Sequence, residues 1–335
     1  MKFNKINLQL FAYDPQAQPV NYTGSSALTA EMKTFYDMTL IDEASANLVH
    51  DQFGQKRPIP ANGGKTIEFR KFAPFAKATT PLTEGVTPNG KSLSVSTITA
   101  TVKQYGDFVT QTDVLELTSL DNTILEATKL LGRQAGLTLD TVVRDVLNSG
   151  TNVTYCPKVV SGAETAVTSR SGLDTTSQLT VKVVQQVVAK LRGQNAPTIN
   201  GKYVAIIHPY VAYDLMRDPE WIDYHKYTTP ENMFTGEVGE IAGVRFVVST
   251  EAKVYDGGVF ATLFMGDGAY GVTEITNGGL QTIVKQKGSA GTADPLDQRS
   301  SVGWKAMKTA EILIENYLVR VESKSAAFSA TTNAN

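Results

Sequence analysis

Gly64-Lys65-Thr66 has the residue types that end a phosphate-binding loop, where backbone N–H groups and a lysine hold phosphate oxygens. That motif needs a glycine five places before Gly64. The residue there is Ile59, and no apolar strand runs into it. A lysine after an Asn-Gly-Gly turn accounts for the tripeptide better. The histidines are His50, His208 and His225, and none has a second histidine or a cysteine at metal-ligand spacing. His208 ends an apolar run before Pro209, where a side-chain hydrogen bond at a helix start explains it. His225 lies in Trp221-Ile-Asp-Tyr-His-Lys-Tyr227, an aromatic cluster that fits packing or an interface better than base stacking. Gly266-Asp-Gly-Ala-Tyr-Gly271 lacks the dinucleotide fingerprint and the helix that should follow it, so two tight turns around a strand explain it. Asp294 and Asp297 flank Pro295, yet nothing else converges on them, and a solvated loop is the better account. There is no Gly-x-Ser-x-Gly elbow. Cys156, the single cysteine, reads as a small packed thiol beside Pro157. The expectation is a protein that is not an enzyme, with no catalytic, cofactor-binding or metal-binding residue.

Composition narrows the class further. The 335 residues suffice for about two domains. Thirty-one basic residues nearly balance 33 acidic ones, which argues against a dedicated nucleic-acid binder with its basic stripe. One cysteine allows no internal disulfide and suits a reducing compartment. Asn4, Asn7 and Gln9 interrupt the apolar run that a signal peptide needs. No stretch approaches the ~18 consecutive apolar residues of a membrane span. A soluble protein made in the cytoplasm, with no membrane partner, is expected.

The elements come next. Residues 1–25 read as an extended tail. Met32, Phe35, Tyr36, Leu40, Ile41, Ala44, Leu48 and Phe53 predict an amphipathic helix over about 29–53, ended by Gly54 and Pro58. Residues 65–112 predict a long strand-loop-strand arm with a turn-rich tip at Pro81–Gly90. Lys65–Phe72 alternates with the two-residue period of a strand. Ser or Thr fills six of the ten positions from Ser92 to Thr101, so the arm has little apolar surface of its own. A lone hairpin is marginally stable in water, so a neighbouring subunit is expected to hold it. Leu93 and Val95 share one parity, and Ile98, Ala100 and Val102 the other, which predicts a bulge or bend near Ser96-Thr97.

The longest helix is predicted at 123–148, opened by the capping box Thr123-Ile-Leu-Glu126. Gly132 and Gly136 inside it signify either tolerance or the close approach of another backbone. Residues 151–178 read as a loose excursion with short strands. A helix over Thr180–Leu191, a buried strand Tyr203–Ile207 and a short helix from Pro209 to Met216 follow. Later strands fall at Val244–Ser249, Val259–Phe264, Tyr270–Ile275, Leu280–Gln286 and near Ala310–Glu322. The tail after Ser323 reads as frayed. Without a regular βαβ rhythm, the fold class is α+β.

Several stretches, in order, carry a resemblance: Leu8-Gln-Leu-Phe-Ala12, Leu82-Thr-Glu-Gly-Val-Thr-Pro88, Gln104-Tyr-Gly-Asp-Phe108, His208-Pro-Tyr with Asp214-Leu215, and Asp297-Gln-Arg-Ser-Ser-Val-Gly-Trp304. The chain resembles the major capsid proteins of tailed bacteriophages, with the fold named after phage Hong Kong 97, and within them the phage N-four-like branch. The resemblance implies an N-terminal arm at 1–56, an extended loop at 57–112 and a peripheral-domain spine helix at 113–150. It also implies an axial domain at 151–290 and a return to the peripheral domain at 291–335. It implies self-assembly into hexameric and pentameric capsomers of an icosahedral head, and a place in the virion after synthesis in the host cytoplasm. Arg70, Phe72, Phe75, Leu82, Glu84, Val86 and Tyr105 become the candidates for contacts between subunits. With about 28 residues before the first helix, no fused scaffold fits, and a separate scaffolding protein is expected. A portal protein and non-specifically packaged DNA are the other implied partners. No residue matches the lysine–asparagine cross-link of some relatives. A related bacterial nanocompartment shell, or another phage structural protein, is the alternative. The long central helix speaks against a tail tube or adhesin built mainly from strands.

Overall fold

A computed structural model describes residues 38–335, apart from 46, 61–62, 73–74, 83, 88, 120–122, 229–238, 277 and 290–293, and without the side chains of 71–72 and 224–228. The expected tail at 1–25 and the start of the first helix lie outside these residues. So do the side chains of Phe72 and His225. Helix α1 covers 38–45 and does not run on to Phe53 as expected, because 47–53 forms turns. The cause is Asp140, whose carboxylate accepts from the N–H groups of Val49 (2.9 Å) and His50 (2.7 Å) and draws the backbone off the helical ladder.

From there the chain runs through strands β1 (Gln55–Lys56), β2 (Thr66–Phe72), β3 (Val95–Thr101) and β4 (Lys103–Thr112), then helices α2 (Asp113–Thr118) and α3 (Thr123–Leu147). Short strands β5 (Val153–Tyr155), β6 (Lys158–Val160) and β7 (Ala163–Thr165) lead to α4 (Val181–Gly193), β8 (Tyr203–Ile207), α5 (Pro209–Met216) and α6 (Pro219–Thr228). The remainder is β9 (Glu240–Ile241), β10 (Val244–Val248), β11 (Val254–Tyr255), β12 (Val259–Met265), β13 (Tyr270–Glu274), β14 (Gln281–Lys285), β15 (Arg299–Ile312) and β16 (Leu318–Lys324). Most expected elements form. The α6 helix was not foreseen in the aromatic cluster at 221–227. The stretch expected near 310–322 begins at Arg299 and divides into β15 and β16.

Two sheets organise the body. The fourteen-residue β15 is the axis of a five-stranded sheet: it pairs with β4 along one side, and with β14 and then β13 along the other. A seven-stranded sheet has the order β5-β16-β12-β8-β10-β9, with β11 against β12. The division expected at residue 290 does not follow these sheets. β13 and β14 precede it yet lie beside β15, and β16 follows it yet lies beside β12. Backbone hydrogen bonding, not chain order, sets the grouping.

The strand pleat distributes side chains to two cores. Tyr203, Ala205 and Ile207 of β8 pack with Val184, Val187 and Leu191 of α4 and Leu215 of α5. Val204 and Ile206 face the other way, toward Val143 and Leu147 of α3 and Tyr270 of β13. Nearer its start, α3 lays Leu131, Ala135 and Leu139 on Val302, Trp304 and Ala306 of β15. This 25-residue helix spans roughly 40 Å at ~1.5 Å per residue, so it braces both sheets.

The bulge expected at Ser96-Thr97 is absent. β2 and β3 pair one to one from Thr66 opposite Thr101 to Phe72 opposite Val95. Leu93 precedes the strand, and both Leu93 and Val95 are exposed, so their parity answers to no buried face. The real break is Val102, whose N–H donates to the Lys65 carbonyl between a strand paired with β2 and one paired with β15. The C-terminal tail is docked rather than frayed. Phe328 stacks on Tyr210 at 4.1 Å, Ser329 donates to the Gly258 carbonyl, and Asn335 exchanges hydrogen bonds with Val254.

Candidate assembly interface

The arm divides into a base that its own subunit holds and a tip that it does not. Direct pairing puts Ile67, Phe69, Ile98 and Ala100 on one face of the β2–β3 hairpin. That face turns inward: Phe69 is 4% exposed and lies over Gly271 of β13, where an added β-carbon would meet its ring at 2.8 Å. The opposite face carries Thr66, Glu68 and Arg70 against Thr101, Thr99 and Thr97, all exposed. Beyond the hairpin, the described residues of 75–94 form neither helix nor strand. Lys91 Nζ donates to the Ala76 carbonyl at 3.0 Å and ties the two limbs of the tip together. Gly85, at φ 77°, supplies the left-handed corner beside Glu84.

The candidate residues therefore part company. Arg70, Phe75, Leu82, Glu84 and Val86 are exposed on the arm, Leu82 by 78%. Phe72 ends β2 opposite Val95, and its side chain lies outside the description. Tyr105 is not on the free arm. It sits in β4 opposite Ala306 and packs on the core beneath α3. The whole of β4 is held by β15 of its own chain and Phe69 seats the hairpin base on β13, so the free part of the arm is its tip at 75–94. An alternating, Gly-containing strand reads the same whether its partner is its own chain or another, which is why the sequence did not separate the two halves.

Other exposed apolar groups were not foreseen. Val114, Leu115 and Leu117 of α2 contribute nothing to the core, and Phe108 and Ile283 stand out from the five-stranded sheet. Gly106 and Gly303 in strand interiors were the readable signal, because a strand glycine often marks a close backbone approach.

Two devices fix α1 and the turns after it to the body. α1 crosses α3 where Gly132 and Gly136 face it: added β-carbons would lie 2.8 Å from the Leu40 oxygen and 2.4 Å from the Ala44 oxygen. The close-approach reading of these glycines is thereby the right one. Below the crossing, His50 Nδ1 lies 2.7 Å from Asp140 Oδ2 with both side chains fully buried, and the Tyr270 hydroxyl donates to the His50 carbonyl. Asp51 joins Lys308 at 3.0 Å and Lys56 at 3.5 Å, so this buried charge is paired, as burial requires.

The residues with chemical potential sit in structural roles. Gly64, at φ 88°, forms a turn before an exposed Lys65. His208 caps α5, accepting from the Tyr210 N–H at 3.2 Å, and burial holds its pKa down to about 4. Burial pushes the Cys156 thiol far up. Gly266–Gly271 joins β12 to β13 through a tight turn. Asp294 is buried rather than solvated, and accepts from the Arg299 N–H at 2.8 Å. No group of three metal-ligating side chains forms among the described residues, and none of their helices is long and apolar enough to cross a membrane.

A family model described as phage capsid protein matches residues 95–317, from the inner limb of the arm to the turn before β16. This chain belongs to the phage capsid protein family. It is a major capsid protein, a structural subunit of the phage head. Solved capsids share its fold. The Cyanophage Pam1 capsid is 12% identical, with 94% of this chain and 99% of that chain covered and a TM-score of 0.66. The Cyanophage P-SCSP1u capsid is 14% identical over 83% and 88%, at 0.65, and the capsid of Ralstonia phage GP4 is 14% identical over the same shares, at 0.63. At such identities the likeness concerns the fold alone, and that fold is the expected Hong Kong 97-like α+β one. No curated protein matches the chain.

Proposed function

We propose that copies of this capsid protein join into five- and six-membered rings that close an icosahedral head, with the arm of each copy clamped on its neighbour. The observation that carries this reading is the arm itself. Phe69 anchors its base, whereas Phe75, Leu82 and Val86 at its tip stand in solvent. Exposed apolar groups of this kind mark an interaction surface. Head-to-tail contacts between identical subunits close into rings when the rotation allows. Many modest contacts of this kind make a strong shell by multivalency. The sheet around β15 with α3 acts as the peripheral domain, and the seven-stranded sheet with α4 and α5 as the axial domain. The subunit works by binding its own kind and not by catalysis. Its net charge of -2 suits a wall beside packaged DNA that it contacts non-specifically. A separate scaffolding protein guides assembly in the host cytoplasm, and a portal protein occupies one vertex.

Expression with and without a scaffolding partner, followed by negative-stain electron microscopy, tests this. Rings of five or six, or closed shells, are expected. A monomer that persists at high concentration under both conditions would sink the proposal.

A further inference from the structure

Asparagine followed by glycine occurs four times, at 62, 89, 200 and 277. Such a pair can modify itself. The glycine nitrogen, once it gives up its proton, attacks the carbonyl carbon of the asparagine side chain, and glycine has no β-carbon to hinder the approach. A carbon–nitrogen bond forms, the bond to the side-chain nitrogen breaks, and ammonia leaves. Water then opens the resulting five-membered ring at either carbonyl, which gives aspartate or isoaspartate. Besides water, the chemistry needs an N–H free to lose its proton and a backbone free to swing that nitrogen behind the side chain.

The fold denies these conditions to three of the four pairs. The Gly63 N–H donates to the Pro60 carbonyl at 3.0 Å, and the Gly278 N–H to the Ile275 carbonyl at 2.7 Å. The nitrogens that would attack at 62 and 277 are therefore engaged. Asn200 and Gly201 are exposed but locked in a two-residue turn. Their φ angles of 51° and 83° are the left-handed pair of a type I′ turn, and Ile199 and Lys202 close it with N–H to carbonyl bonds of 2.8 and 3.1 Å. Swinging the Gly201 nitrogen behind the Asn200 side chain would break that turn. Asn89 and Gly90 are equally exposed, but they lie in the arm tip, where the described residues form neither helix nor strand. No described residue hydrogen-bonds to either of them, and a β-carbon on Gly90 would have nothing within 4 Å.

We infer that Asn89-Gly90 is the site at which the unassembled subunit modifies itself, with water as the only other reactant. The fold selects it among four copies of one dipeptide. The inference stands apart from the clamping role proposed above. The product differs from its parent in two ways. A carboxylate replaces a neutral amide two residues from Lys91, and isoaspartate adds a methylene to the main chain of the tip. Lys91 Nζ closes the tip on the Ala76 carbonyl, and the new carboxylate competes for that ammonium, because charge-assisted hydrogen bonds are the stronger. A subunit that waits outside a head thus changes the charge and the backbone of its arm tip.

Full-length subunits kept unassembled by dilution and incubated at mildly alkaline pH should show aspartate and isoaspartate at 89 by peptide mass spectrometry. Conversion at 89 should run at least tenfold faster than at 200, and faster than at 62 or 277. In the chain unfolded by guanidinium the four rates should come together. Gly90→Ala should slow conversion at 89 at least tenfold with circular dichroism unchanged, since the space around Gly90 is open. The inference is overturned if Asn89 converts no faster than Asn200 in folded subunits, or if its lead is as large in guanidinium. Assembled heads test the clamp separately. A tip covered by a neighbour should convert more slowly there than in free subunits, and equal rates would remove the clamping role while leaving the site in place.

Discussion

Gly136 of α3 meets Ala44 of α1 so closely that a β-carbon on the glycine would lie 2.4 Å from the alanine carbonyl oxygen. The crossing joins α1 to the helix that braces both sheets. A glycine in mid-helix costs up to ~1 kcal/mol relative to alanine, so its presence here reflects contact rather than propensity.

Gly136→Ala should therefore destabilise, even though alanine favours the helix. The opposing atom is backbone and cannot step aside as a flexible side chain would. A loss of about 1–3 kcal/mol is expected, as for overpacking generally. Urea unfolding measures it, and faster hydrogen exchange over 38–45 locates it. Gly132→Ala, whose β-carbon would stand 2.8 Å from the Leu40 oxygen, should cost less.

Asp140 accepts from the half-buried Val49 N–H and the buried His50 N–H, and its carboxylate faces the His50 ring with both side chains out of water. Asp140→Ala would leave the buried His50 N–H, and the half-buried Val49 N–H, without that acceptor. Removing one partner of such a buried group costs about 3 kcal/mol or more. The transition midpoint in urea should fall accordingly. Asp140→Asn, which keeps one acceptor oxygen, should recover part of the loss.

His208 introduces a pH dependence. Burial lowers its pKa from 6.5 to about 4, so the folded state favours the neutral ring and the unfolded chain takes up the proton first. Its contribution is fully present above pH 6.5 and is lost as pH falls toward 4. Thermal unfolding followed from pH 7 to 4 should show this decline. His208→Asn, which retains a cap for α5, should flatten it; an unchanged slope would remove His208 as its source.

Phe328 holds the C-terminal tail by stacking on Tyr210 and meeting Tyr213 edge-on at 5.6 Å. Aromatic pairs add about 0.5–1.5 kcal/mol beyond the area they bury. Phe328→Ala should lower the melting temperature by several degrees and expose the Ser325–Ser329 turn to proteolysis. If the tail were frayed, neither change would appear.

Local pattern by itself determined the elements whose partners lie within the same element. The 3.6-residue stripe and capping box gave α3, helical spacing outweighed the valines of α4, and His208-Pro209 opened α5. The order of the chain's motifs also carried the resemblance to the phage capsid proteins. Only the tertiary structure decided which strands meet. Whether Lys103–Thr112 belonged to a free arm or to the body depended on β15, far along the chain, and a two-residue period carries no record of its partner. The same holds for α1, cut short by a carboxylate from α3, and for the tail, docked by contacts with α5 and β11. Gly106 and Gly303 look like weak points in a strand until the register sets them beside Phe108 and Ile283. Long-range hydrogen bonding then turns two missing side chains into a surface.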